Sequence, residues 1–286
     1  MGYQGLPPGV MPEPSALPGS CSLLMRRPTF LPGTSLHRPR LDVLTLLSLL
    51  LVAVHAVVAW QGGARVLVEK GFYDVVGLSK PGLLSGKVWQ LLTYSLFHGY
   101  WMHLLLNLAV IYSVGGRVMR ILGGRAFARI YLAGVLAGAL LHVLLFPAYP
   151  LGVGHTPAQM PLVGASGGMM ALLLVLTSLS PDSRMWPLMV SGKNLGRGLM
   201  LSTLILFLLS PGLGIPVLGA LGGLLRDEAG MGALFQVSHM CHFGGGLVGM
   251  IFARRLLCSP VSLEDLRRDR ERREGLAPLP RNSPND

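Results

Sequence analysis

Charge is what this chain lacks. Only 13% of its 286 residues are Asp, Glu, Lys or Arg, where a soluble domain carries about 25%. With 51% hydrophobic residues alongside, the deficit excludes an ordinary soluble domain and points to a polytopic membrane protein. Acids are scarcer still: 13 Asp and Glu stand against 24 Lys and Arg, a net charge of +11. Aromatics make up only 7%, and no aromatic-basic platform for nucleic acid accompanies the arginines. The basic excess therefore reads as a topology signal, with no nucleic-acid partner. Three cysteines (Cys21, Cys241 and Cys258) lie far apart, which excludes a disulfide framework and a paired-cysteine zinc site. No metal or organic cofactor is implied.

Residues 1–40 are rich in Pro and Gly and show no apolar period, the composition of a disordered tail. Arg26, Arg27, Arg38 and Arg40 against a single acid, Glu13, also match an organelle transit peptide. The first apolar stretch is too long, and starts too late, for a cleavable signal peptide. Six apolar segments follow, at 43–60, 100–114, 127–146, 164–180, 199–221 and 239–257. A spanning helix needs about 20 apolar residues, with ~17 the practical minimum. The second segment must therefore draw on flanking residues. The fifth is broken by Ser210-Pro211-Gly212, so it either kinks or ends early before a re-entrant stretch. Residues 41–258 form the expected core. Residues 259–286 form a charged tail that opens on a capping pattern at Ser262-Leu263-Glu264-Asp265.

Basic residues sort by side. The arginines of the N-terminal tail precede the first segment. Arg117, Arg120, Arg125 and Arg129 lie between the second and third, Arg184, Lys193 and Arg197 between the fourth and fifth, and Arg254 and Arg255 after the sixth. The loop between the third and fourth carries no charge, and that between the fifth and sixth only Arg226, Asp227 and Glu228. The first loop, 61–96, is mixed in charge and moderately apolar, suited to the membrane surface. The expected architecture is an all-α membrane protein, a bundle of six transmembrane helices with both termini cytoplasmic or on the equivalent side of an organelle membrane. Six spans with inside termini favour a bacterial plasma membrane; an organelle membrane also fits.

In that topology the second, fourth and sixth segments all enter from the outer side, with polar residues in their first turns. His103 and Asn107 are spaced i,i+4 and share a helix face. Ser166 sits in Gly164-Ala165-Ser166-Gly167, and His239 and His242 open the sixth segment. Ionisable groups in a bilayer are costly and mark functional sites. A serine hydroxyl becomes a nucleophile when a base takes its proton, and histidine is the usual base. Both His239 and His242 reach Ser166 on spacing alone. No Asp or Glu lies within these segments, so a Ser-His dyad is the chemistry permitted. Asn107, His103 and the Ser166 backbone N–H supply donors for an oxyanion. Gly245 and Gly249 form a Gly-x-x-x-Gly face beyond His242, and Gly164, Gly167 and Gly168 offer a matching small surface around Ser166.

The residues Trp89-Gln90-Leu91-Leu92-Thr93, His98 through Asn107, Gly115-Gly116, Leu122-Gly123, Gly164-Ala165-Ser166-Gly167 and His242 through Gly249 resemble the rhomboid intramembrane serine proteases. The likeness covers about Lys87 to Arg254. It implies the six-helix rhomboid core with a cavity open to the outer side, Ser166 as nucleophile and His242 as general base. His103, Asn107 and the Ser166 N–H are implied as the oxyanion hole. Three positions depart from the family pattern: Gln90 follows Trp89 where Arg is frequent, Met119 stands where many members carry an acid, and Met170 replaces an aromatic that stacks on the catalytic imidazole. A methionine still packs on a ring face through its sulfur.

Taken singly, these residues have plainer readings. A helix serine is a small packing residue, His103 with Asn107 is interhelical glue, and His98 sits at the interface against loop or headgroups. His55 and His142 read as structural, and Trp60, Trp89 and Trp101 as interfacial anchors. Taken together, they lead to an expected integral-membrane serine endopeptidase that cleaves transmembrane segments near the outer face. Its partners are transmembrane protein substrates and the lipid bilayer; the fifth segment is its expected gate. The sequence leaves the oligomeric state open. The alternative is a rhomboid-like binder that holds membrane clients without cutting them. A transporter would show repeats in corresponding halves, and none is evident.

Overall fold

Asp42 starts the first helix, its Oδ1 accepting the Thr45 N–H at 2.8 Å and so satisfying one of the unpaired donors of a helix start. From there α1 runs Val43–Trp60. This is a computed structural model, and it describes residues 41–145, 161–185 and 188–257. The two tails read from the sequence, and Cys258, lie outside the described residues. Four short helices follow α1: α2 (Gly63–Glu69), α3 (Tyr73–Val76), α4 (Lys80–Leu84) and α5 (Gln90–Thr93). The long elements are α6 (Trp101–Leu122), α7 (Gly124–Leu145), α8 (Ser166–Leu179), α9 (Gly192–Leu208), α10 (Pro216–Asp227) and α11 (His239–Leu257). Between α8 and α9 lies a two-residue antiparallel pair, β1 (Arg184–Met185) with β2 (Val190–Ser191).

Three of these helices, α1, α6 and α7, are long and apolar enough to cross a membrane. Unlike in a soluble protein, apolar side chains line the outer face as well as the core. Leu46, Leu49, Leu50 and Val57 of α1, and Leu105 and Leu106 of α6, are exposed, whereas His55, Gln90, His98, Asn107, Ser166, Thr177 and His239 are buried. Apolar side chains outside and polar ones inside is the arrangement lipid imposes.

The observed helices match the first and sixth apolar segments end to end. The second segment does extend by flanking residues, to Leu122. One expectation is corrected. Arg117, Arg120, Arg125 and Arg129 do not occupy a loop: α6 and α7 are joined by Gly123 alone, at φ +85°, and the arginines ride on the helix ends. Arginine is a good helix former, and its long stem lets the charge reach water from a helical position. The fifth segment takes the second of its two expected forms and ends early. α9 ends at Leu208, Pro211–Leu213 form a 3-10 turn, and α10 begins at Pro216. Each proline lacks the N–H that would continue a helix through it.

At the centre, α7, α8 and α11 pack backbone to backbone. A Cβ at Gly245 would collide with the Gly167 carbonyl, and one at Gly249 with the Ala171 carbonyl. A Cβ at Gly138 would stand 2.7 Å from the Cys241 carbonyl, and one at Gly244 the same distance from the Ala137 carbonyl. Gly134 lies against Ala171, with the Gly167 carbonyl 2.9 Å from its Cβ position. Helix packing in lipid depends on such close approach, because apolar burial gives no advantage there.

Replacing Gly134 or Gly245 by Val is expected to remove most folded protein, since overpacking a tight contact costs typically 1–3 kcal/mol or more. Gly116→Ala, whose new methyl would sit 3.7 Å from the nearest Leu44 atom, is expected to be tolerated. Thermal unfolding in detergent distinguishes the two classes.

Candidate active site

Ser166 is the first residue of α8 and is 8% exposed. The turn that delivers it is held by the first loop. Leu78 and Leu162 exchange N–H···O bonds of 2.9 and 2.8 Å. The Gly164 N–H donates to the Tyr94 carbonyl at 2.9 Å, and the Ala165 N–H donates to His98 Nε2 at 3.4 Å. Gly164 adopts φ +131°, and a Cβ there would lie 2.9 Å from His103 Nε2 and 3.9 Å from Asn107 Nδ2. A side chain at this position would be strained and would also displace the imidazole. With the donors before it already engaged, Ser166 heads the helix turn whose N–H groups have no intrahelical partner.

Asn107 is 3% exposed, and its Nδ2 is a buried donor with no hydrogen-bond partner among the described residues. Such a group costs free energy and calls for an explanation. Here it lies beside the Gly164 turn with His103, one helical turn earlier on the same face of α6.

The opposite wall is α11. Cys241 Sγ lies 3.1 Å from the Cβ position of Gly167, and Gly245 meets the Gly167 carbonyl. These two contacts bracket His242 and set its turn beside Ser166. The Tyr94 hydroxyl donates to the Val135 carbonyl at 2.8 Å and lies 3.5 Å from Cys241 Sγ, so one residue ties the Ser166 turn to α7 and α11.

All four expected site residues, Ser166, His242, His103 and Asn107, thus sit around one turn, as do Gly164, Gly167 and Gly245; Gly249 packs one turn further along α11. Met170 is buried at 3% exposure. Among the described residues, no three of His, Cys, Asp and Glu converge as a metal site needs.

One expectation is corrected. His98 does not sit at the membrane interface: it is wholly buried and accepts the Ala165 N–H of the loop before α8. An interfacial position would leave the Ala165 N–H unpaired inside the fold. Burial, reinforced by the neighbouring His103 and His55, pushes the His98 imidazole down to about 3, so it stays a neutral acceptor at Nε2. His55 stands edge-on to Trp101 at 4.5 Å between ring centroids. Gln90 was legible only as a departure. Its buried amide donates to the Asp74 carbonyl at 2.9 Å and accepts the Ser79 N–H at 3.2 Å. An arginine could not accept, and Gly82, packed directly on the Gln90 amide, leaves no space for a larger head group. The signal for His98 was its place five residues before His103 in the quoted motif. The signal for Gly134 and Gly138 was their own Gly-x-x-x-Gly spacing.

The His98 environment has a pH consequence. The unfolded chain takes up a proton near pH 6.5, and the folded one not until about 3. The contribution of neutral His98 is therefore present above pH 6.5 and is lost progressively as pH falls toward 3, by at most about 1.4 kcal/mol per pH unit. Thermal unfolding in detergent from pH 7.5 to 4 should show a steeper acid loss for wild type than for His98→Gln, whose carbonyl accepts without titrating. Equal slopes would remove this role from His98.

Comparison with known proteins agrees with this arrangement. The family model described as Rhomboid domain matches residues 85–259, more than half the chain. Among curated proteins, the chain is similar to "RHOMBOID-like protein 12, mitochondrial" of Arabidopsis thaliana, 26% identical over 129 residues. That match covers 43% of this chain and only 38% of the relative's length. With the domain match spanning both the Ser166 turn and the His242 helix, the chain belongs to the rhomboid family.

Proposed function

We propose that this rhomboid is an intramembrane serine endopeptidase that cleaves transmembrane segments of other membrane proteins near the outer face, using Ser166 and His242. The observation that carries the reading is the buried, unpartnered Asn107 Nδ2 beside the Gly164–Ser166 turn. A donor kept without a partner at that point suits a charge that appears only during reaction. In the proposed mechanism Ser166 Oγ attacks the scissile carbonyl while His242 accepts its proton. The oxyanion is held by the Ser166 N–H, Asn107 Nδ2 and His103. His242 returns the proton to the leaving amine, then activates a water that hydrolyses the acyl-enzyme. Substrate helices must unwind locally to present the carbonyl, so helix-weakening residues near the scissile bond are expected.

The proposed topology is six spans, α1, α6, α7, α8, α9 with α10, and α11, with both termini inside. The 14 residues of α8 rise about 21 Å, against a hydrocarbon core of about 30 Å. With the Leu179 end at the inner boundary, Ser166 lies submerged by roughly 9 Å, reached by water through the outer opening. The break between α9 and α10 is the proposed lateral gate. A bacterial plasma membrane is the proposed location, an organelle membrane the alternative.

In liposomes carrying a transmembrane substrate, Ser166→Ala and His242→Ala are each expected to reduce cleavage by about 10³-fold or more. Asn107→Ala is expected to lower kcat by about 10²-fold with little change in KM. Equal cleavage by wild type and Ser166→Ala would sink the assignment, and retention of uncut substrate by wild type would favour the binder.

A further inference from the structure

Rhomboid chemistry as proposed above uses His242 but leaves unexplained how the first turn of its helix is held. That turn begins at Ser238. The Ser238 carbonyl accepts the His242 N–H at 3.1 Å, and its Oγ accepts the Cys241 N–H at 3.2 Å. Ser238 is thus the N-cap of α11, and its two oxygens hold the backbone N–H groups of residues 241 and 242. The same hydroxyl lies 2.7 Å from Nδ1 of His142, in the last turn of α7. One turn earlier, Gly138 packs against the Cys241 carbonyl and Sγ. α7 therefore reaches the start of α11 through one backbone contact and one short polar bond.

We propose that His142 is a positioning residue for the base: its bond to Ser238 orients the capping hydroxyl and thereby sets where the His242 imidazole stands relative to Ser166. The inference rests on the protease reading for its kinetic consequence only; the bond itself is a structural statement. A hydroxyl rotates freely unless a partner fixes it. A cap whose hydroxyl points elsewhere no longer holds the Cys241 N–H, and the first turn frays. Fraying at residues 239–242 moves the base and leaves the transmembrane body of α11, anchored by Gly244, Gly245 and Gly249, in place. The expected signature is a fall in kcat at nearly constant KM.

The experiment uses full-length protein in detergent, with fluorophosphonate labelling of Ser166, cleavage kinetics and thermal unfolding. His142→Ala is expected to slow labelling and kcat about ten-fold with KM within two-fold. His142→Asn, whose amide places a polar atom near the former Nδ1, is expected to recover most of both. The His142→Ala/Ser238→Ala double variant should lose clearly less than the product of the two single losses, because the two residues share the 2.7 Å bond. Multiplying effects in the double variant, or His142→Asn no better than His142→Ala, would overturn the proposal. Should wild type neither label nor cleave, the protease reading fails instead, and the bond is judged by unfolding: additive losses of Tm for the two single variants overturn it, a non-additive pair upholds it.

Discussion

Everything in this fold hangs on the contact between the Gly167 carbonyl and the bare α-carbon of Gly245. Two helices approach that closely only where neither carries a side chain, and in lipid the gain comes from dispersion and backbone complementarity. The contact is repeated by Gly249 on Ala171 and extended by Gly134 and Gly138 of α7. Its effect is to bring the first turns of two helices edge to edge, and those turns carry Ser166 and His242. A methyl group at the crossing would push the two turns apart.

Close packing at the centre leaves polar work for the periphery. The segment leading to Ser166 donates its N–H groups to Leu78, Tyr94 and His98, all between α1 and α6. That loop is in turn organised around Gln90, which bonds to Asp74 and Ser79. Surface loop, Ser166 turn and helix core thus form one hydrogen-bonded unit. This accounts for polar residues being buried across a loop that composition alone assigns to the membrane surface.

Much of this was readable from residues alone, for definite reasons. α1 and α11 match their apolar segments end to end; Asp42 caps the start of one, and Arg254 and Arg255 stand in the last turn of the other. The convergence of Ser166, His103, Asn107 and His242 followed from helix period and loop charge, both local quantities. The break after Leu208 was visible at Pro211, but its form was not, since a lone proline is compatible with a kink. Gly134 and Gly138 share the spacing of Gly245 and Gly249 yet stand near no chemical landmark, so nothing singled them out. His98 was misplaced because its acceptor role is created by Ala165, distant in sequence. Gln90 was seen as a departure, whereas in the fold its need to accept as well as donate makes the amide the fitting choice.

The joint at Gly123 has a consequence of its own. One residue with left-handed backbone connects two helices of 22 residues each, so the rotational setting of α7 is dictated by α6. An added residue at the joint, if absorbed into α7, would turn that helix by about 100°. Gly134 and Gly138 would swing off α8 and α11, and bulky neighbours would face them instead. The chain tolerates length variation poorly here: the joint acts as an angular key, which lets the face of α6 bearing His103 and Asn107 and the glycine face of α7 meet α8 at the same time.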